Sequence, residues 1–252
     1  MSTPSAHANA GSHSAAAWAY GGYVWILFIL LALPLGAVAV LLRRPPLSRR
    51  IVRHGARILL LLAGMPPAVQ GLAHLPRSPH VLLVNHGSFP DAIALTALLP
   101  AYPGYAYTTR QQFRMQRLLC PFLRSLGTLV MLPCEARHRK SNVDRMVAAL
   151  RRGESLVIFP EGAFRTDPGL MRFHSGAFVA AANADVPIVV AGLHGTRTAL
   201  PLGTWLPRRS AISLEIGPAL MPHGSDPDAI AQSSDAARKA MASLTGEPDA
   251  AA

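Results

Sequence analysis

The apolar positions fall into three regimes along the chain. From Trp18 to Leu42 there is no charged residue. A helix of that length suffices for a bilayer, which takes roughly 20 apolar residues. Trp18, Tyr20, Tyr23 and Trp25 crowd its start, as an interfacial aromatic belt does. Pro34 and Gly36 allow a kink, which membrane helices tolerate. Positive charge follows the run instead of preceding it, so the pattern fits an anchor, transmembrane or re-entrant, better than a cleaved signal. Residues 1–17 are mostly Ser, Ala, Gly and His and read as a disordered tail. In the second regime, residues 43–75, the stretch Ile51 to Val69 mixes arginines with the run Ile58 to Ala63. It reads as a basic amphipathic helix lying in a membrane interface, with a buried core helix as the alternative.

The third regime, residues 76–222, alternates short apolar runs with helix-period segments. Val81–Val84, Thr128–Leu132, Ser155–Phe159, Val186–Ala191 and Ala211–Ile216 predict strands. Ala92–Leu99, Asn142–Arg152 (with Ser141 as N-cap and Gly153 as stop) and Phe173–Ala184 predict helices. The fold class that follows is α/β, with a mixed, largely parallel sheet flanked by helices. Residues 223–252 predict a last amphipathic helix, Ala229–Leu244, and a frayed tail.

Charge narrows the partners. The chain of 252 residues carries a formal net charge of +11. Its first acidic residue is Asp91, preceded by Arg43, Arg44, Arg49, Arg50, Arg53, Arg57 and Arg77. Arginines beside an apolar run are expected to face anionic phospholipid headgroups and to keep the following domain cytoplasmic. Aromatics are only 6% of the chain, and no motif interleaves them with basic residues, which argues against nucleic acid. Cys120 and Cys134 are too few for a disulfide scaffold and lack zinc-type spacing, so they read as reduced, packed thiols.

Two turns carry candidate chemistry. Asn85-His86-Gly87-Ser88-Phe89-Pro90-Asp91 joins a buried strand to a helix, and reactive groups of open α/β sheets collect at such strand ends. His86 can act as a general base near neutral pH. Asp91 can fold back to fix its tautomer, or else cap the helix from Ala92. Ser88 is a weak nucleophile candidate, because the chain has no G-x-S-x-G elbow. The second turn is Phe159-Pro160-Glu161-Gly162-Ala163-Phe164-Arg165. There Gly162 permits a sharp turn or close approach to a ligand, and Arg165 can grip a phosphate. Glu161 can accept from a substrate hydroxyl or orient Arg165. An ordinary solvated turn remains the alternative.

Together these turns resemble the lysophospholipid and 1-acylglycerol-3-phosphate O-acyltransferase (PlsC-like) family. Its N-H-x-x-x-x-D block is matched by Asn85, His86 and Asp91, and its F-P-E-G block with a following arginine by Phe159 to Gly162 and Arg165. A later F-x-x-G-A-F piece is matched by Phe173, Gly176, Ala177 and Phe178, and a V-P-I-V segment by Val186 to Val189. The resemblance implies transfer of a fatty acyl group from acyl-CoA or acyl-carrier protein to 1-acylglycerol 3-phosphate, giving phosphatidic acid. His86 and Asp91 would be catalytic, and Asn85, Arg110, Glu161, Gly162 and Arg165 would bind substrate. Backbone N–H groups of the turn are the expected oxyanion donors, and no metal or cofactor is expected. The expected location is a cell membrane, the bacterial inner membrane, with membrane lipid as partner. Some positions depart from the pattern. Pro133 stands where the family has a block arginine, with Arg137 or Arg139 as substitutes; Ala163 replaces a threonine, His174 and Ser175 replace lysines, and Val190 a proline. These departures leave other acceptors open: lysophosphatidylethanolamine, lyso-ornithine lipid or glycerol 3-phosphate. They also leave open transacylation between phospholipids and, from another class, a non-catalytic protein that holds anionic lipid.

Overall fold

Strands that are apolar on both faces need cover on both faces, and three of them form the middle of the sheet. The computed structural model describes residues 14–101, 104–110, 114–132, 136–163, 169–222 and 224–248, with the backbone alone at 110, 114–118, 136 and 137. Strands β2 (Val81–Val84), β5 (Ser155–Ile158) and β6 (Ile188–His194) are neighbours. The seven-stranded order is β1-β7-β6-β2-β5-β3-β4, with β1 at Pro67–Gln70, β3 at Tyr105–Arg110, β4 at Leu129–Met131 and β7 at Ile212–Leu220. Every pairing is parallel except β6 with β7, so the sheet is mixed and largely parallel, as expected.

The period-2 geometry of strands sorts these residues into two cores. Val81, Leu83, Leu156, Ile158, Ile188 and Val190 face one layer, with residues of α5 (Ala136–Arg151), α6 (Gly176–Ala184) and α8 (Pro227–Thr245). Leu82, Val84, Val157, Val189 and Ala191 face the other, against α2 (Pro45–Leu62) and α3 (Asp91–Leu98).

The long apolar run forms α1 (Ala15–Leu42), which starts at Ala15 because the Ser14 side chain accepts from the Ala17 N–H. Ala15–Ala17 are therefore helical instead of belonging to the tail; residues 1–13 lie outside the described residues. Arg43, at φ 50, turns the chain, and α2 runs back along α1. Tyr20 and Tyr23 near the start of α1 donate to the Ala63 and Leu62 carbonyls at the end of α2, at 2.8 and 3.0 Å.

Several boundaries differ from expectation. The amphipathic helix starts earlier, at Pro45, where proline suits the first turn. It ends at Leu62, and Val69 belongs to edge strand β1. Helix α5 starts at Ala136, so Ser141 is an interior residue and caps nothing. β3, α4 (Arg114–Ser125), α7 (Thr196–Ala199) and a short 3-10 turn at Leu72–His74 complete the described fold.

Three arginines of α2 turn toward the protein. Arg49, Arg53 and Arg57 recur every fourth residue, on one face of the helix. Arg49 Nε donates to the Leu126 carbonyl at 2.7 Å, Arg53 Nε to Leu99 at 2.6 Å and Arg57 Nη1 to Ala97 at 3.4 Å. These carbonyls sit at or just beyond the C-terminal ends of α4 and α3, where helical carbonyls lack partners. Arg43, Arg44 and Arg50 stay exposed.

Gly195, between β6 and α7, tests this packing. It holds φ +84, and a Cβ there would run into the Ala211 carbonyl oxygen. Gly195→Ala adds left-handed strain to a backbone clash and is expected to cost about 2–4 kcal/mol, read as a lowered midpoint in urea unfolding.

Candidate active site

The turn after β2 is shaped by two buried carboxylates. Asp91 is fully buried and opens α3, where helix dipoles favour negative charge. It does not cap that helix. Its Oδ2 accepts from His86 Nδ1 at 2.7 Å, from the Gly87 N–H at 2.8 Å and from the Ser88 N–H at 3.0 Å. With Nδ1–H given to the carboxylate, the basic lone pair of the imidazole belongs to Nε2. The ring is held flat on Phe159, with centroids 4.1 Å apart and planes 15° apart. That contact joins the two candidate turns directly.

Glu161 joins them a second time. Its Oε1 accepts the His86 N–H at 3.1 Å and its Oε2 accepts the Met171 N–H at 2.9 Å. Burial pushes its carboxyl above the usual carboxylate range, against the pull of those two N–H groups. The carboxylate thus braces the backbone on both sides. Gly162 holds φ +69, a left-handed turn that favours glycine, and its N–H returns to the Phe159 carbonyl. Asn85 extends the β2–β6 ladder with its side chain: Nδ2 donates to the Leu193 carbonyl at 3.1 Å, and Oδ1 accepts the Leu193 N–H at 2.7 Å. Ser88 is buried, with its hydroxyl given to the Leu200 carbonyl, which is no posture for a nucleophile.

The N–H groups of His86, Gly87 and Ser88 bond to Glu161 or Asp91, so these three shape the turn and are already engaged.

His86 lines a cavity of about 1400 Å³. Its walls are largely apolar and come from Phe28 and Leu35 of α1, Leu59 of α2, Phe122 of α4, and Met146 and Phe159 below. His174, which the sequence marked only as a departure, lines it too, as do Thr108 and Thr109 of β3. No pattern in the chain tied α1 and α2 to the two candidate turns; their role as cavity wall comes from tertiary packing. Of the remaining site candidates, Arg110 ends β3 and its side chain lies outside the described residues, as does that of Arg137. Arg165, Pro133 and Cys134 also lie outside them. Arg139 is exposed on α5, and Cys120 is a free thiol on α4.

A family model described as Acyltransferase matches residues 67–193, from β1 to the Leu193 that Asn85 clasps. The chain belongs to the acyltransferase family. Among curated relatives it is 30% identical over 138 residues to a plastid 1-acyl-sn-glycerol-3-phosphate acyltransferase of Brassica napus, covering 54% of this chain and 39% of that one. It is 29% identical over 156 residues to the lyso-ornithine lipid O-acyltransferase of Pseudomonas aeruginosa, covering 62% and 58%. The chain thus spans less than two thirds of the length of these relatives. The crystal structure of the 1-acyl-sn-glycerophosphate acyltransferase PlsC from Thermotoga maritima shares the fold, with a TM-score of 0.68 at 15% identity, over 91% of this chain and 96% of that one. Within this acyltransferase fold the family match ends before α7, β7 and α8 begin.

The raised carboxyl of Glu161 has a consequence for pH. A carboxyl whose folded value exceeds its unfolded one binds more protons in the folded state, so stability falls as pH rises through that interval. Glu161→Gln is expected to flatten this fall above the ordinary glutamate value of about 4.3. The replacement also leaves one buried N–H poorly paired, at about 1–3 kcal/mol. Urea unfolding at several pH values reads both effects.

Proposed function

We propose that this acyltransferase-family protein moves a fatty acyl group from acyl-CoA or acyl-carrier protein to the free hydroxyl of 1-acylglycerol 3-phosphate, at a membrane. The observation that carries the reading is the His86–Asp91 pair on the wall of a largely apolar cavity of about 1400 Å³. Such a volume suits a lipid chain, and the histidine sits where the chain's reactive end must meet its acceptor.

The steps follow from the geometry. His86 Nε2 takes the proton of the acceptor hydroxyl, and Asp91 steadies the resulting imidazolium. The oxygen attacks the thioester carbonyl carbon. The tetrahedral intermediate collapses with cleavage of the C–S bond, and the thiolate leaves with the proton from His86. A thiol, at about pKa 8.5, is a good leaving group beside an alcohol, so no covalent acyl-enzyme is required. The residues used are side chains of the protein, without metal or cofactor. Arg165, with Arg110, is assigned to the acceptor phosphate, and Gly162 to the sharp turn that follows Phe159.

Membrane docking is supported by the outer face of the α1–α2 hairpin. Ile26, Ile29 and Leu30 of α1 are 59%, 50% and 64% exposed and do not line the cavity, and Ile58, Leu61 and Leu62 of α2 are exposed as well. Trp205 and Phe89, 72% and 62% exposed, stack at 6.4 Å beside the catalytic turn. Trp25 Nε1 of α1 donates to the Trp205 carbonyl at 2.7 Å. Because α1 is fastened to α2 near its start and to the Trp205 loop, the favoured mode is a hairpin sunk in one leaflet, with the exposed Arg43, Arg44 and Arg50 meeting anionic lipid. The cytoplasmic face of a bacterial inner membrane is the proposed location.

A different acceptor is the second reading. Pro133 replaces an arginine of the family pattern, and one relative is named for lyso-ornithine lipid. The deciding experiment gives purified protein radiolabelled oleoyl-CoA, and then acylated carrier protein, with lysophosphatidic acid, lyso-ornithine lipid, lysophosphatidylethanolamine or glycerol 3-phosphate. Label in phosphatidic acid supports the first reading, and label in another product moves the acceptor. His86→Ala is expected to lower turnover by about 10²–10⁴-fold with vesicle binding intact; more than a tenth of wild-type activity excludes the base assignment. Arg165→Ala is expected to raise the acceptor KM and leave the donor KM within twofold. An unchanged acceptor KM removes Arg165 from the phosphate site.

A further inference from the structure

Arg197 lies on α7, beyond the residues that the family model matches. Its side chain crosses Gly87, the residue after His86: a Cβ on Gly87 would meet Arg197 Nε at 3.5 Å and Nη2 at 3.6 Å. Arg197 Nη1 pairs with Glu247 Oε1 at 3.1 Å, and both side chains are at least three-quarters buried. Glu247 comes just after α8, where Gly246 at φ +66 turns the chain out of the helix. The other carboxylate oxygen, Oε2, accepts the Gly169 N–H at 3.1 Å, and the Pro248 carbonyl accepts the Leu170 N–H at 2.9 Å. The next N–H, that of Met171, goes to Glu161, whose second oxygen holds the His86 N–H.

Three consecutive N–H groups, 169 to 171, are therefore held by Glu247, Pro248 and Glu161 in turn. The segment after α8 grips the catalytic turn from two directions: through Arg197 onto Gly87, and through residues 169–171 and Glu161 onto His86. We propose that Glu247 is a positioning residue of the active site, setting the catalytic turn through Arg197 and through the 169–171 segment. The proposal rests on the reading of His86 as general base. Neither Arg197 nor Glu247 lines the cavity, so the effect falls on the placement of His86 and not on contact with the acyl chain. Placement is a sensitive quantity: a displacement of about 1 Å at reacting groups can cost 10²-fold in rate.

The test compares Glu247→Ala, Glu247→Gln, Arg197→Ala, Arg197→Lys and the double alanine variant with wild type in the acyl-transfer assay, with His86→Ala as control. Thermal midpoints are measured on the same preparations. Glu247→Ala is expected to lower kcat about tenfold, with donor and acceptor KM within twofold. Glu247→Gln, which can still accept from Gly169, and Arg197→Lys, which keeps a cation, recover part of the loss. The double variant is expected to be no worse than the poorer single one, since coupled residues are not additive. Glu247 variants within twofold of wild type, or losses matched by the fraction of protein unfolded, would overturn the proposal while a dead His86→Ala keeps the base reading. Full activity in His86→Ala would overturn both.

Discussion

Two carboxylates, buried where water cannot reach them, set the shape of this site. A buried carboxylate must collect hydrogen bonds or remain costly: Asp91 collects three on Oδ2 from the turn that carries His86, its Oδ1 having none among the described residues, and Glu161 collects one from that turn and one from Met171. Tautomer, ring orientation and turn shape therefore follow from one requirement. The sheet supplies the rest: β2 and β5 are parallel neighbours, so their carboxyl ends deliver His86 and Phe159 to the same edge, and the two rings stack there.

Much of this was legible in the residue order, because the central strands are continuous apolar runs and the reactive residues sit in short turns between recognisable elements. The pairing of His86 with Asp91 follows from their separation of five positions across a tight turn. Glu161 was harder. A glutamate in a turn reads as a ligand for substrate, and only the folded chain brings the His86 and Met171 N–H groups to it. Edge strand β1 was hidden by its Pro67 and its four-residue length. Helix α4 was hidden by Pro121 in its interior. Strand β3 carries a readable sign in its Tyr-Ala-Tyr-Thr-Thr run. The arginines of α2 show the limit of charge reasoning. Their sign and density suit a lipid surface, yet their spacing at 49, 53 and 57 puts them on one helical face, and that face meets carbonyls.

The cavity is a product of two chemistries that do not meet in the sequence. Its floor belongs to the family match, residues 67–193. Much of its roof is the apolar hairpin that precedes that match. An apolar helix left alone in water would be a liability for solubility. Folded back on α2 and fastened by Tyr20, Tyr23 and Trp25, it encloses space on one side and offers bare apolar surface on the other.

A hairpin at the periphery of a domain is ordinarily the first part to open, since local unfolding starts where few contacts cross. Here the polar face of α2 gives that expectation a reason to fail. Arg49, Arg53 and Arg57 each donate to a carbonyl at or beyond the end of another helix. Detaching the roof would strip three carbonyls of partners at once. In hydrogen-exchange terms, the amides of α2 are expected to belong with the slow core rather than with the fraying edge, the roof and floor of the cavity opening together.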